Sequence, residues 1–270
     1  MSRLLSFGMA CLVHRNTAPR YLTFENSDYP LWTSDSERII YTSKPETASI
    51  AGASLMWQKA DGSGTAESVV KPKEGEQQLG AGYVAESIYG KTLAFRARGN
   101  GADIFQLSLD GDRTPKPLIA LPENQQRAAF SPDGRWIAYD SSELGRNEIF
   151  VQPFPPTGAK YQITSNNPAV AALWSQDGRR IFFIEFGGSA SSAQLSSVDV
   201  ETVPSLSFSN PKTIISRLAG VTNSVRSYDV TPDGKFFIMQ NETDESDARQ
   251  TETRITLNWF EDIKSHFRGN

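Results

Sequence analysis

The sequence predicts an all-β fold: a β-propeller of four-stranded antiparallel blades, five or six in number, closed into a ring by its N- and C-terminal strands. Two observations predict it. One unit of tight turn plus apolar strand recurs, with anchors at Asp35, Tyr89, Asp133, Asp177 and Asp233 that lie 54, 44, 44 and 56 residues apart. That interval suits a blade of about 40–50 residues and exceeds the common helical repeats. The strands left over at the two ends are also complementary, so each terminus supplies what the other lacks and no sheet edge stays open.

The clearest copy of the unit is 127–155, RAAFSPDGRWIAYDSSELGRNEIFVQPFP. An apolar segment ends at Phe130, Ser131-Pro132-Asp133-Gly134 turns the chain, and Trp136-Ile137-Ala138-Tyr139 follows as a second strand. Pro132 presets φ at the second turn position, Asp133 can bond its own backbone, and Gly134 tolerates positive φ. Glu148–Gln152 is a third strand, closed by Pro153 and Pro155.

Taken in order, 10–15 and 19–24 read as third and fourth strands with no first or second ahead of them. Trp32-Thr33-Ser34-Asp35-Ser36 then opens a complete unit. Its strands continue as Ile39-Ile40-Tyr41, Ser54–Gln58 and, beyond Asp61-Gly62-Ser63-Gly64, Glu67–Val70. The next unit is degenerate: Tyr89 stands at the anchor, followed by Leu93-Ala94-Phe95, Asp103–Leu107, the Asp110-Gly111-Asp112 turn and Pro117–Ala120. Tyr161–Thr164 completes the unit anchored at Asp133. Trp174-Ser175-Gln176-Asp177-Gly178 starts another, with Ile181-Phe182-Phe183, Gln194–Val200 and Thr213–Ile215. The last, 226–240 with Thr231-Pro232-Asp233-Gly234 inside it, gives first and second strands. An acidic surface loop from Glu242 to Glu252 separates it from a third, Ile255–Phe260. Apolar residues recur four and six positions after each anchor: Ile39 and Tyr41, Leu93 and Phe95, Ile137 and Tyr139, Ile181 and Phe183, Phe237 and Met239. Residues 1–264 are therefore read as one propeller domain, with 1–17 either a strand or a vestigial signal and 265–270 a polar tail.

Composition narrows the function classes. A net charge of −4 offers no basic face to nucleic acid or an anionic membrane. Cys11 is the single cysteine, so neither an internal disulfide nor a cysteine-based zinc site is available. No apolar run approaches the ~18 residues of a spanning helix, and a monomer is expected.

Phe130–Tyr139 and Gly145–Pro155 resemble TolB-like, WD-type bacterial propeller repeats, and more specifically the C-terminal propeller of bacterial serine/threonine protein kinases. Trp57–Gly64, Leu107–Asp112, Tyr228–Gly234 and the ending Leu257-Asn258-Trp259-Phe260-Glu261-Asp262-Ile263-Lys264 extend the likeness over 18–264. The resemblance implies a sensory or protein-interaction module, an extracytoplasmic setting and six blades. Against the pattern, the kinase domain and its joining membrane helix are missing here. Four complete units and two partial ends leave the blade count at five or six.

Little in the sequence speaks for catalysis. Its two histidines, His14 and His266, sit near opposite termini, and no Gly-x-Ser-x-Gly elbow is present. Asp35, Asp133, Asp177 and Asp233 occupy one turn slot in separate units, which marks them as scaffold. Asp110-Gly111-Asp112 lacks the spacing of a calcium loop. Trp32, Phe130 and Trp174 end successive first strands and are expected to pack between blades; a stacking platform for a ligand is the alternative. No residue is assigned to catalysis, a cofactor or a metal. The expected function is that of a non-catalytic binding or sensing propeller for a protein or small-molecule ligand. The alternative is an accessory propeller, or a detached fragment, of a receptor kinase or prolyl-oligopeptidase-type peptidase. The binding surface is expected where loops enter the first strands at the channel mouth, at Asp28, Tyr29, Gln126, Arg127, Arg226 and Ser227. Gly145-Arg146-Asn147 is a second place of interest.

Overall fold

A computed structural model describes residues 11–12, 20–21, 27–43, 53–70, 83–98, 101–187, 193–202, 205–218, 228–230 and 236–238. Every regular element among them is a strand. A pair at the start, β1 (Cys11–Leu12) and β2 (Arg20–Tyr21), precedes four complete sheets. Blade I is β3 (Ser27–Trp32), β4 (Arg38–Ser43), β5 (Ser54–Lys59) and β6 (Glu67–Ser68). Blade II is β7 (Val84–Tyr89), β8 (Thr92–Arg98), β9 (Ala102–Ser108) and β10 (Lys116–Ile119). Blade III is β11 (Gln125–Phe130), β12 (Trp136–Ser141), β13 (Glu148–Pro153) and β14 (Tyr161–Gln162). Blade IV is β15 (Ala169–Trp174), β16 (Arg180–Phe186), β17 (Ala193–Glu201), β18 (Ser207–Phe208) and β19 (Lys212–Ile215). A pair from a further blade, β20 (Tyr228–Val230) and β21 (Phe236–Ile238), follows.

All pairings are antiparallel and run in chain order from first to last strand in blades I to III. The first strands abut one another, β3 on β7, β7 on β11 and β11 on β15. They therefore form the inner ring, and the short fourth strands form the rim. Blade IV departs from the expected four strands. β17 is 9 residues long, so its far end, Val200 and Glu201, takes Phe208 and Ser207 as partners while Leu195–Ser197 takes β19.

Strand alternation explains the core. Side chains at successive positions point to opposite sheet faces, and each face here meets a different blade. Leu93 and Phe95 cluster with Ile40 and Leu55 of blade I. Ile137 and Tyr139 cluster with Ala94 and Ile104 of blade II, and Ile181 and Phe183 with Ile149 and Val151 of blade III. The intervening residues Ile40, Ala94, Ala138 and Phe182 face the following blade. The apolar register of the sequence is thus the inter-blade packing, each large side chain adding about 1.5–3 kcal/mol. Trp174 and Phe130 are buried as well. Trp174 Nε1 donates back to Ala129 O of blade III at 3.1 Å, while Trp32 packs on Ile39 and Ala60 of its own blade.

The anchor turns repeat atom for atom. Thr33, Ser131 and Ser175 each donate a hydroxyl hydrogen bond of 2.6 Å to the anchor carboxylate of Asp35, Asp133 or Asp177. The same carboxylate oxygens accept from Glu37 N, Arg135 N and Arg179 N at 3.0, 3.1 and 3.0 Å. Hydrogen bonding to the charged form favours it. The Thr33 hydroxyl and Glu37 N–H hold Asp35 below the usual carboxylate range, as the Ser175 hydroxyl and Arg179 N–H do Asp177. At Asp133 partial burial pushes upward, but Ser131 and Arg135 outweigh it and the net shift is also down.

Gly134 takes φ 68° in its turn, and a Cβ there would lie 2.0 Å from Cε1 of Tyr89. Tyr89 is the residue that replaced Asp in the degenerate unit, and its ring leans on the next blade's turn. Gly134→Ala is expected to destabilise by about 1–2 kcal/mol through left-handed backbone strain, with a further loss from the Tyr89 contact. A double-mutant cycle with Tyr89→Ala, read by urea denaturation, separates the two. Equal losses in both backgrounds would show that the ring contact carries no energy.

The expected closure of the ring depends on Ile255–Phe260, which lies outside the described residues. So do the Asp233 turn, His14, the acidic segment 242–252, and His266 with its tail.

Candidate functional site

Near its start, each first strand of blades I to IV carries a β-bulge. Pairing skips from Asp28 to Leu31, from Ala85 to Ser87, from Gln126 to Ala129 and from Val170 to Leu173. The extra residue is left out of the ladder, and the strand bends. In three blades the bulge residue is a non-glycine at positive φ: Tyr29 at 55°, Arg127 at 56° and Ala171 at 62°. Such a conformation persists only where surrounding contacts determine it; at Arg127 and Ala171 the neighbouring blade supplies hydrogen-bond partners to the backbone.

Ties between blades use one second-strand position in each blade, with a different chemistry each time. In blade I, Thr42 Oγ1 accepts from Ala85 N at 3.3 Å. In blade II, Arg96 Nη1 donates to Gln126 Oε1 at 2.5 Å. In blade III, Asp140 accepts from Ala171 N at 3.1 Å. In blade IV the position is apolar: Ile184 packs in the cluster that holds Tyr228, whose hydroxyl donates to Ala171 O at 2.7 Å.

The densest polar cluster is at blades II and III. Glu86, the bulge residue of β7, accepts from Arg127 N at 2.7 Å and Ala128 N at 2.8 Å, satisfying both N–H groups that the bulge of β11 releases. Arg96 Nε stands 3.9 Å from it. Arg127 turns its guanidinium to Asp140, with Nε–Oδ1 3.0 Å and Nη2–Oδ2 2.7 Å, a bidentate pair in which Asp140 is fully buried. Burial raises the Glu86 carboxyl above the ordinary glutamate range, against the pull of Arg96 and of the two N–H donors.

The sequence-predicted residues fall unevenly on this framework. Gln126 and Arg127 sit together at the bulge of β11, Gln126 half-buried and Arg127 buried and paired. Tyr29 occupies the matching bulge of β3, and Asp28 is the ladder residue before it, opposite Thr42. Arg226 and Ser227 lie outside the described residues. Glu86, Arg96 and Asp140 escaped the sequence reading, although each is a charge that follows a run of apolar strand residues, a local sign of a buried polar role. Arg146 of the Gly145-Arg146-Asn147 loop binds inward, with Nε 2.6 Å from Oε1 of the buried Glu148. Among the described residues no three His, Cys, Asp or Glu side chains gather as a metal site, and no helix is long and apolar enough to cross a membrane.

Comparison with solved structures places the fold. A protein assigned as a TolB from Agrobacterium tumefaciens superposes with a TM-score of 0.63 at 17% identity, over 82% of this chain and 77% of that one. TolB from Acinetobacter baumannii gives 0.62 at 20%, over 84% of this chain and 52% of that one, so this chain spans about half its length. An oligogalacturonate lyase in complex with manganese gives 0.57 at 11% identity, covering 85% of this chain and 63% of the lyase. No family model matches the sequence, and no curated protein does.

Proposed function

We propose that this chain is a non-catalytic propeller that binds a protein or small-molecule ligand at the bulged ends of its first strands. Its TolB-like fold also occurs in an oligogalacturonate lyase, so the function is argued from the site. One observation supports this above others: Glu86 and Asp140, the carboxylates at that end of blades II and III, are committed to backbone N–H groups and to guanidinium partners. Carboxylates held in this way build a rigid polar rim. A general acid or base needs a lone pair or proton free for the substrate. Tyr29, Arg96 and Gln126, all half-buried, are the side chains such a rim offers, fixed before any ligand arrives, and preorganisation of that kind strengthens binding.

The test is an affinity screen of the purified chain against peptide and small-molecule panels, repeated with Tyr29→Ala and Gln126→Ala. Ligands that bind the wild type are expected to lose about tenfold or more, some 1.4 kcal/mol, in either variant. Peptidase or lyase turnover that disappears when one acid at this end is changed would overturn the reading and favour the enzyme-accessory alternative.

A further inference from the structure

Between the outer parts of blades III and IV lies a cleft of about 300 Å³, at the small end of ligand sites. Gln162, Ser165 and Asn166 border it on the blade III side, and Glu185, Phe208 and Asn210 on the blade IV side. Glu185 pairs with Ala169, just before the bulge of β15, so the cleft adjoins the bulged end of blade IV, and its walls are held in place.

On the blade III side, Arg146 clamps the loop by donating to Ser165 O and, at 3.4 Å, to Asn166 O. Its partner Glu148 is buried and takes the Thr164 hydroxyl at 2.5 Å, fixing the start of the same loop. On the other side, Ser209 Oγ accepts from Asp199 N at 2.9 Å and donates to Asn210 O at 3.1 Å. Glu185 is only 5% exposed. Its Oε2 takes both the Gln194 amide, at 3.0 Å, and the Ser196 hydroxyl, whereas its Oε1 has no partner among the described residues. That oxygen still reaches water, and a ligand hydroxyl there would take the place of a water donor.

We propose that this cleft is a binding site for a neutral, hydroxyl-rich ligand, a saccharide unit. Glu185 Oε1 accepts from ligand hydroxyls, the amides of Asn166 and Asn210 each offer a donor and an acceptor to neighbouring hydroxyls, and the half-buried Phe208 ring supports the apolar face of a sugar. An anion would find no counter-charge among the described residues, since none of the Lys, Arg or His side chains among them lines the cleft. A purely apolar ligand would leave Glu185 and the amides unpaired. An ammonium ion would satisfy Glu185 but would use neither the amides nor the aromatic face.

Calorimetric titration of the purified chain tests this, with maltose and N-acetylglucosamine as neutral probes, glucuronate as the anionic one and putrescine as the cationic one. A neutral sugar is expected to bind, Phe208→Ala to weaken it about tenfold, and Glu185→Gln to weaken it by a similar factor. Lys116→Ala, at an exposed position on β10 of blade II, leaves it unchanged. If Glu185→Gln does not fold, Asn210→Ala, at an exposed position, is expected to lower the affinity several-fold. The proposal is overturned if neither neutral sugar binds at millimolar concentration, or if binding survives Phe208→Ala and Asn210→Ala undiminished. Binding of putrescine in preference to the sugars, lost in Glu185→Gln, would equally overturn it.

Discussion

Replacing Asp140 with Ala is expected to cost about 3–5 kcal/mol of folding stability, read as a lower midpoint in urea denaturation. Two losses combine. The Arg127 guanidinium, held at 7% exposure by the bulge of β11, keeps its charge and loses both hydrogen bonds to the carboxylate. The Ala171 N–H of the next blade loses its acceptor, and an unsatisfied buried donor alone costs about 1–3 kcal/mol. The double variant Arg127→Met, Asp140→Asn is expected to be markedly more stable than Asp140→Ala. It removes the buried charge, and the Asn carbonyl can still accept from Ala171 N. If the double variant proves no more stable, the penalty does not come from the uncompensated guanidinium. Since Asp140 ties blade III to blade IV, loosening should also reach across that interface. Amide exchange at Ala171 is expected to quicken more than at Leu93 and Ala94, which lie inside blade II.

What the sequence made legible is what local chemistry writes. The anchor turns could be read because the Asp bonds residues within two positions of itself, and the apolar register could be read because alternation on two faces is short-range. The bulges were hidden. Arg127 looked like a loop residue on offer to a ligand, yet its backbone sits at φ 56° inside a strand, and its partner Asp140 is 13 residues away across the β11–β12 hairpin. No periodicity announces that pairing. Burial leaves no trace of the bulge either: blades cover both sheet faces, and the regular strand β12 buries Ile137, Ala138 and Tyr139 in succession just as the bulged β11 buries Ala128, Ala129 and Phe130. Blade IV hid its extra strand for a related reason. Thr213–Ile215 filled the expected fourth place, and nothing in Ser207-Phe208 shows that β17 is long enough to pair with it as well.

Glu86→Ala is expected to cost about 2–6 kcal/mol, because it strips the acceptor from both Arg127 N and Ala128 N at about 1–3 kcal/mol each. Glu86→Gln keeps one acceptor oxygen but turns an NH₂ group toward the other donor, so an intermediate loss is expected. The two variants also make the pH response separable. Burial holds the folded-state pKa of Glu86 above its unfolded value, so the stability linked to its protonation is fully present below the unfolded pKa and is lost as pH rises through the folded one. Asp35, Asp133 and Asp177 have lowered pKa values and the opposite sign. Their contribution is present above the usual aspartate range and is lost as pH falls through their folded values. Urea denaturation of wild type and Glu86→Gln from about pH 3 to pH 8 distinguishes the two. The stability advantage of wild type over the variant is expected to shrink as pH rises above the ordinary glutamate range and to level off beyond the raised pKa. The acid-side loss from the turn aspartates persists in both proteins. An advantage that instead grows with pH would mean that the two N–H donors and Arg96 outweigh burial. The cluster would then hold a carboxylate stabilised in its charged form.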